Sequence, residues 1–260
     1  MRLSGDVMGF EFVSVNGSKY LKNRELEKMN VKHFFSTRIG GFSKGNYSEL
    51  NLGVYTEDDA DDVYRNMEKA FTDNKMNLNN AVYLKQVHSD KIYIVDRSNF
   101  MDIKGKFGDA LITKERDLPI GVFTADCVPA LVYDSKNNII ASVHAGWKGT
   151  YKCILKKTIE IMVEELNADV NYTYVILGPA IAKCCFEVSV DVADKFNFIE
   201  KREGVYFVDL FLENKKQALS LGVDEKNIYI SNICTKCNNN LFYSYRVNNS
   251  TGRIGTFISL

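Results

Sequence analysis

The chain has 260 residues, with 33 Lys or Arg and 33 Asp or Glu, so its formal net charge is zero; 45% of it is hydrophobic and 25% charged. That length can bury a substantial core, and the composition is that of an ordinary globular protein rather than a disordered or fibrous one. The charge balance argues against nucleic acid as a partner, and no apolar run of about 18 residues announces a membrane-spanning helix.

The amino-terminal stretch MRLSGDVMGFEFVSV carries Asp6 and Glu11 within its apolar part and lacks a small-residue cleavage site, so it does not read as a signal peptide; a cytoplasmic location is the expectation. Next comes RIGG, Arg38–Gly41, either a plain glycine turn or a backbone anion nest beside a guanidinium, the turn being the default. Asp58–Asp73 reads as a helix with its acidic residues massed where the helix dipole favours them. Strand-like runs follow at Ala81–Ser89, Lys91–Asp96, Ile120–Asp126, Ala130–Asp134 and Ile139–Ala145. Thr150–Leu166 reads as an amphipathic helix, Thr173–Pro179 and Val205–Leu210 as strands, and Glu213–Val223 as a helix ended by Gly222. There is no internal repeat or composition break, and only three prolines. The expectation is one α+β domain over residues 1–260, with mixed sheets instead of a regular βαβ series. Neither G-x-G-x-x-G nor G-x-x-x-x-G-K-[ST] occurs, so nucleotide phosphates have no familiar cradle.

Six irregularly spaced cysteines do not resemble a disulfide framework. Cys234 and Cys237 form CTKC, half a zinc knuckle, but no second C-x-x-C or H-x-H pair completes it. Cys184 and Cys185 are adjacent and would point apart if extended, and Cys153 falls inside a predicted helix as core. Cys127 differs, because it closes an apolar run just after Asp126. His88 and His144 close two more, in a chain with only three histidines. Three strand ends bearing His, Cys and His make a plausible catalytic zinc triad with a fourth position open. The same atoms also suit a thiol hydrolase with Cys127 as nucleophile and His144 as base, and residue chemistry alone does not choose.

Several segments together resemble one family. They are HFFSTRIGGFSKGNYSELNLGVYTEDD (His33–Asp59), LKQVHSDKI (Leu84–Ile92), DALIT (Asp109–Thr113), TADCVPALVYD, VHAGWKGT, GPAIAKCCFEV (Gly178–Val188), VDL (Val208–Leu210) and CTKCNNNLFYSYR (Cys234–Arg246). In this order they are similar to the laccase-domain family of multicopper polyphenol oxidoreductase-like proteins, regarded as purine nucleoside phosphorylases and also called peptidoglycan editing factors. Val247 stands where the family usually has a second arginine, and Cys237 is outside the family pattern.

The resemblance implies a single-domain α/β fold related in outline to a cysteine–histidine deamidase toxin. It also implies a metal site of His88, Cys127 and His144, holding zinc, with copper as the alternative. Three histidines are too few for a multicopper oxidase cluster. The implied activity is phosphorolysis of adenosine and inosine, with methylthioadenosine a further candidate and adenosine deamination a side activity. For that chemistry Arg38, Gly40 and Gly41 are the candidate phosphate site, and Asp126 the candidate for proton transfer or for orienting a ligand. The alternative is a Cys–His amidase that edits misassembled cell-wall precursors. About one zinc per chain is expected, untouched by Cys237→Ser.

Overall fold

The computed structural model describes residues 9–260, so residues 1–8 of the stretch weighed above as a leader lie outside the described residues. A hairpin of β1 (Phe10–Val15) and β2 (Ser18–Asn23) leads through α1 (Arg24–Lys28) to β3 (Lys32–Ser36), then to α2 (Ala60–Asp73) and β4 (Val82–Tyr83). β5 (Ile92–Ile94), α3 (Phe100–Ile103), β6 (Ala110–Thr113), β7 (Ile120–Thr124), β8 (Val128–Asp134) and β9 (Ile139–Ala145) form the middle of the chain. Then come α4 (Trp147–Tyr151), α5 (Ile154–Leu166), β10 (Thr173–Leu177), β11 (Glu187–Val188), α6 (Val190–Ala193), β12 (Ile199–Arg202) and β13 (Val205–Val208). α7 (Leu210–Ser220), β14 (Ile228–Ile230) and β15 (Ile254–Ser259) complete the order.

One six-stranded sheet runs β1-β2-β3-β15-β7-β4, a second runs β14-β10-β8-β9-β6-β5, and β11-β13-β12 form a small third. Parallel and antiparallel pairs mix in both large sheets, giving the mixed-sheet α+β domain that the sequence leads one to expect. The two large sheets pack face to face. Leu131, Tyr133, Ile140 and Ile176 of one meet Phe35, Ile120, Ile254 and Ile258 of the other. Strand residues alternate faces, so Ala130, Val132, Ala141 and Val143 point the opposite way, onto Ile154, Leu155, Ile159 and Met162 of α5 and Phe211 and Ala218 of α7. On the outer face of the first sheet, Phe34, Phe123 and Phe257 meet Met67, Ala70 and Phe71 of α2. Four layers result: helix, sheet, sheet, helices. Covered on both faces, β8, β9 and β15 are buried along their whole length, which explains the long apolar runs of β8 and β9.

Three expectations about elements change. The strand expected over Ala81–Ser89 ends at Tyr83; beyond it only Lys85 bridges, to Phe107, and residues 86–89 form a loop. The helix expected over Thr150–Leu166 is broken at Cys153, whose left-handed backbone (φ 60°) separates α4 from α5. Cys153 is therefore a half-buried turn residue and not core. The helix expected over Glu213–Val223 begins earlier, at Leu210, because the Asp209 carboxylate accepts the Leu212 N–H as its cap. No helix among the described residues is long and apolar enough to cross a membrane.

The interface between the sheets should dominate stability. Leu131→Ala, a fully buried site there, should cost about 2–5 kcal/mol by urea denaturation, whereas Leu219→Ala on the exposed side of α7 should stay within about 0.5 kcal/mol.

Candidate metal and catalytic site

Strand register brings the site together. β8 and β9 pair with Val128 opposite Ala145 and Pro129 opposite His144, so Cys127, one residue before β8, lies at the sheet end where His144 emerges. β6 pairs with β9 with Ala110 opposite Val143, which sets Asp109 beside His144; the His144 N–H donates to the Asp109 carbonyl at 2.8 Å. His88 arrives on the loop after β4. The Gln86 side chain fixes that loop to β7 like one more rung of the sheet, donating to Phe123 O (2.7 Å) and accepting from Phe123 N (2.8 Å).

Asp109 completes the loop. Its buried carboxylate accepts from the backbone N–H of Val87 (3.4 Å), His88 (3.0 Å) and Ser89 (2.7 Å) and from the Ser89 hydroxyl (2.6 Å). This clasp holds His88 at φ 57°, a left-handed conformation rare for a non-glycine residue. Oδ1 of the same carboxylate meets His144 Nδ1 at 2.8 Å. Burial alone would raise the Asp109 pKa, but the His144 and Ser89 interactions outweigh it and hold the group below the usual carboxylate range. Sequence reasoning missed Asp109 as a site residue. The available signal was its place at the head of DALIT, just before a strand.

With Nδ1 committed to Asp109, His144 presents Nε2 to Cys127, while His88 Nε2 stands 3.7 Å from the Cys127 sulfur. The two imidazoles meet edge to face at 4.8 Å between centroids. The three ligand atoms lie within 4.8 Å of one another, so His88, Cys127 and His144 can hold one metal ion between them. Gly146 makes room for this: a Cβ there would fall 2.9 Å from both Cys127 Sγ and His88 Cδ2. Burial would raise the Cys127 pKa, but the charge and hydrogen bonds of His144 and His88 pull it down to about 6. Burial opposes a positive His144, yet the Cys127 charge and the Asp109 hydrogen bond raise its pKa to about 9. Between those values the metal-free pair is thiolate and imidazolium. The third histidine plays no part: buried His33 accepts the Asn23 N–H through Nε2 (2.8 Å) and meets Val31 O through Nδ1 (2.9 Å), and burial lowers its pKa to about 3.

The cluster opens into a cleft of about 550 Å³, within the range of small-molecule sites. Its walls include Phe186, Tyr245, Arg246, Arg253 and Thr124, whose buried hydroxyl has no hydrogen-bond partner among the described residues. Asp126 lines the same cleft, with φ 93° and both carboxylate oxygens engaged, one by the Thr235 hydroxyl (2.6 Å) and one by the Arg246 N–H (2.7 Å).

Arg38, Gly40 and Gly41 are not among the cleft residues. Arg38 donates to the carbonyls of Ser48 (2.8 Å) and Asn239 (2.9 Å) and lies over the Tyr243 ring. The anion held at this turn is the chain's own: the Gly40 N–H donates to the Glu49 carboxylate at 2.7 Å. The remaining cysteines also correct an expectation. Cys184 and Cys185 sit in a turn, where strand alternation does not apply, and they converge with Cys234 and Cys237.

Residues 32–260 match the family described as multi-copper polyphenol oxidoreductase laccase, and the chain belongs to it. It is 34% identical over 246 residues to the purine nucleoside phosphorylase CA_C1699 of Clostridium acetobutylicum, covering 90% of this chain and 98% of that one. It is 33% identical over 245 residues to adenosine deaminase RL5 of an unknown prokaryotic organism, covering 85% and 93%. The fold is similar to the crystal structure of YlmD from Geobacillus stearothermophilus, with TM-score 0.89, 29% identity, and 96% and 98% of the two chains covered.

Two expectations follow. Asp109→Asn should weaken metal binding at the three-ligand cluster about 10- to 100-fold, measured by competition with a chromogenic chelator. In metal-free protein the Cys127 thiolate exists above its pKa, so its alkylation by iodoacetamide should rise through a midpoint near pH 6, well below that of an ordinary thiol.

Proposed function

We propose that this protein is a zinc-dependent purine nucleoside phosphorylase acting on adenosine and inosine, with adenosine deamination as a side activity. The observation that carries this reading is the His88–Cys127–His144 cluster at the floor of a cleft walled by guanidiniums and aromatic rings. The relatives' names support it in this family context. Zinc fits the donor set of two imidazoles and one thiolate, which copper also accepts, and when bound it supplies a Lewis acid.

In phosphorolysis a phosphate oxygen bonds to C1′ of the ribose as the C1′–N9 bond breaks. The electron pair leaves with the purine, which takes up a proton, and ribose 1-phosphate is the other product. Arg253 is the phosphate-binding residue we favour over Arg38. Thr251 and Gly252 carbonyls anchor its Nη1 at 2.6 and 3.0 Å, fixing the guanidinium in the cleft wall. Burial lowers the Arg253 pKa while the Cys127 charge opposes that shift, which places the cation in the electrostatic reach of the cluster. A planar fork suits phosphate bidentately. Tyr245, which is 54% exposed, offers a face for a purine. We read Asp126 as a positioning residue, since both its oxygens hold the cleft wall.

A second reading has its own observation. Cys127, His144 and Asp109 are arranged as nucleophile, base and orienting carboxylate, the order a thiol amidase of cell-wall precursors would need. Such an enzyme should survive strong chelation and lose activity to iodoacetamide; a zinc phosphorylase should stop on chelation and recover with zinc.

Hypoxanthine release from inosine should require phosphate and give ribose 1-phosphate; release at an undiminished rate without phosphate, yielding free ribose, would make the enzyme a hydrolase. Arg253→Lys should lower kcat/KM for phosphate about 10- to 150-fold, the loss of one charge-assisted contact of about 1.5–3 kcal/mol. Arg38→Lys should leave the phosphate saturation curve unchanged; the reverse pattern would return the phosphate to the Arg38 turn.

A further inference from the structure

Among the described residues outside the three-ligand cluster, Cys184, Cys185, Cys234 and Cys237 form a second group of ligating side chains. Two distant segments supply it. The turn before β11 carries Cys184 and Cys185, and the stretch after β14 carries the C-x-x-C pair. The segments are joined beside the cluster by a parallel bridge between Ala180 and Cys234, with Ala180 N donating to Ile233 O (3.2 Å) and Thr235 N to Ala180 O (3.0 Å).

All four sulfurs lie within 4.8 Å of one another, and none is in a disulfide. Cys237 Sγ is 3.7 Å from Cys184 Sγ and 3.4 Å from Cys185 Sγ. Four thiolates at about 2.3 Å around a tetrahedral zinc stand roughly 3.8 Å apart, so small side-chain adjustments suffice. The backbone is prepared for a thiolate as well. Cys234 Sγ accepts the Ala182 N–H at 3.5 Å, and the Cys234 carbonyl accepts the backbone and the side-chain N–H of Asn238, which closes the C-x-x-C turn. Ordinary burial of small hydrophobic thiols does not account for the group, because Cys184 and Cys237 are exposed. The Arg202 guanidinium, paired with the Glu200 carboxylate at 2.7 Å, also lies within electrostatic reach of Cys184 and Cys185.

We infer that Cys184, Cys185, Cys234 and Cys237 form a structural zinc site that clamps the turn before β11 to the segment after β14. The clamp braces the wall of the cleft. Thr235, inside the C-x-x-C turn, donates to Asp126, and Arg246 donates its backbone N–H to Asp126 and its side chain to the carbonyls of Cys185 (3.4 Å) and Glu187 (3.2 Å). The inference does not depend on the phosphorylase reading, and it raises the expected zinc content from about one to about two per chain.

The test is zinc content together with zinc-edge X-ray absorption on the full chain, reconstituted with zinc under reducing conditions. Wild type should hold about two zinc ions per chain. His144→Ala should retain one, with a shell of four sulfurs; Cys237→Ser should retain one, with a mixed nitrogen and sulfur shell. Should Cys237→Ser fail to fold, the sulfur count in His144→Ala decides alone. Zinc-free His144→Ala protein, or a retained ion with nitrogen neighbours, would overturn the inference. So would a Cys185–Cys237 disulfide that persists when zinc and reductant are both supplied. Failure of the three-ligand cluster is recognised separately, as a wild type holding a single ion surrounded only by sulfur.

Discussion

The Asp109 carboxylate is the interaction on which the arrangement depends. A buried carboxylate carries a desolvation cost of several kcal/mol unless its lone pairs are satisfied, and here three backbone N–H groups, a hydroxyl and an imidazole satisfy it. Those donors belong to the His88 loop and to His144. One charge thus folds a strained loop, selects the nitrogen that His144 presents, and fixes the distance between two prospective ligands. The position of Asp109 follows from the register of β6 against β9, and that register is held by the apolar faces of a strand covered on both sides.

From there the cleft is a consequence of layering. The sheets stack through their inner faces, and the strand ends bearing Cys127 and His144 meet the loop bearing His88 at the rim. Phe123 joins the layers to the site: its ring packs in the outer core against Phe257, while its backbone pairs with the Gln86 amide. Asp126, with its positive φ, turns the chain sharply between β7 and β8, so that Cys127 faces the cleft and the Asp126 carboxylate ties down the carboxy-terminal wall.

The central strands, and with them Cys127 and His144, were legible in the sequence because they depend on local pattern: continuous apolar runs flanked by a thiol just before β8 and an imidazole near the end of β9. His88 was singled out as the end of a strand that in fact stops at Tyr83, and it reaches the cluster on a loop. Asp109 was not legible as a site residue, because its role comes from a strand pairing that brings residues 35 positions apart into contact. The Arg38 turn shows a related limit. RIGG has the composition of an anion nest, but the carboxylate that occupies it, Glu49, is visible only once the loop is closed. The cysteine group shows the limit most clearly. Half a knuckle was evident at Cys234 and Cys237, and its other half is an adjacent pair some 50 residues earlier whose turn conformation no periodicity announces.

The central claim, that Asp109 sets the tautomer of His144 and thereby builds the site, is tested most directly by long-range 15N–1H correlation NMR of the histidine side chains in the zinc-loaded protein. The account predicts that His144 carries its proton on Nδ1, strongly downfield through the bond to Asp109, and shows metal ligation at Nε2. A His144 protonated on Nε2, or an imidazole that titrates freely with zinc present, would contradict it.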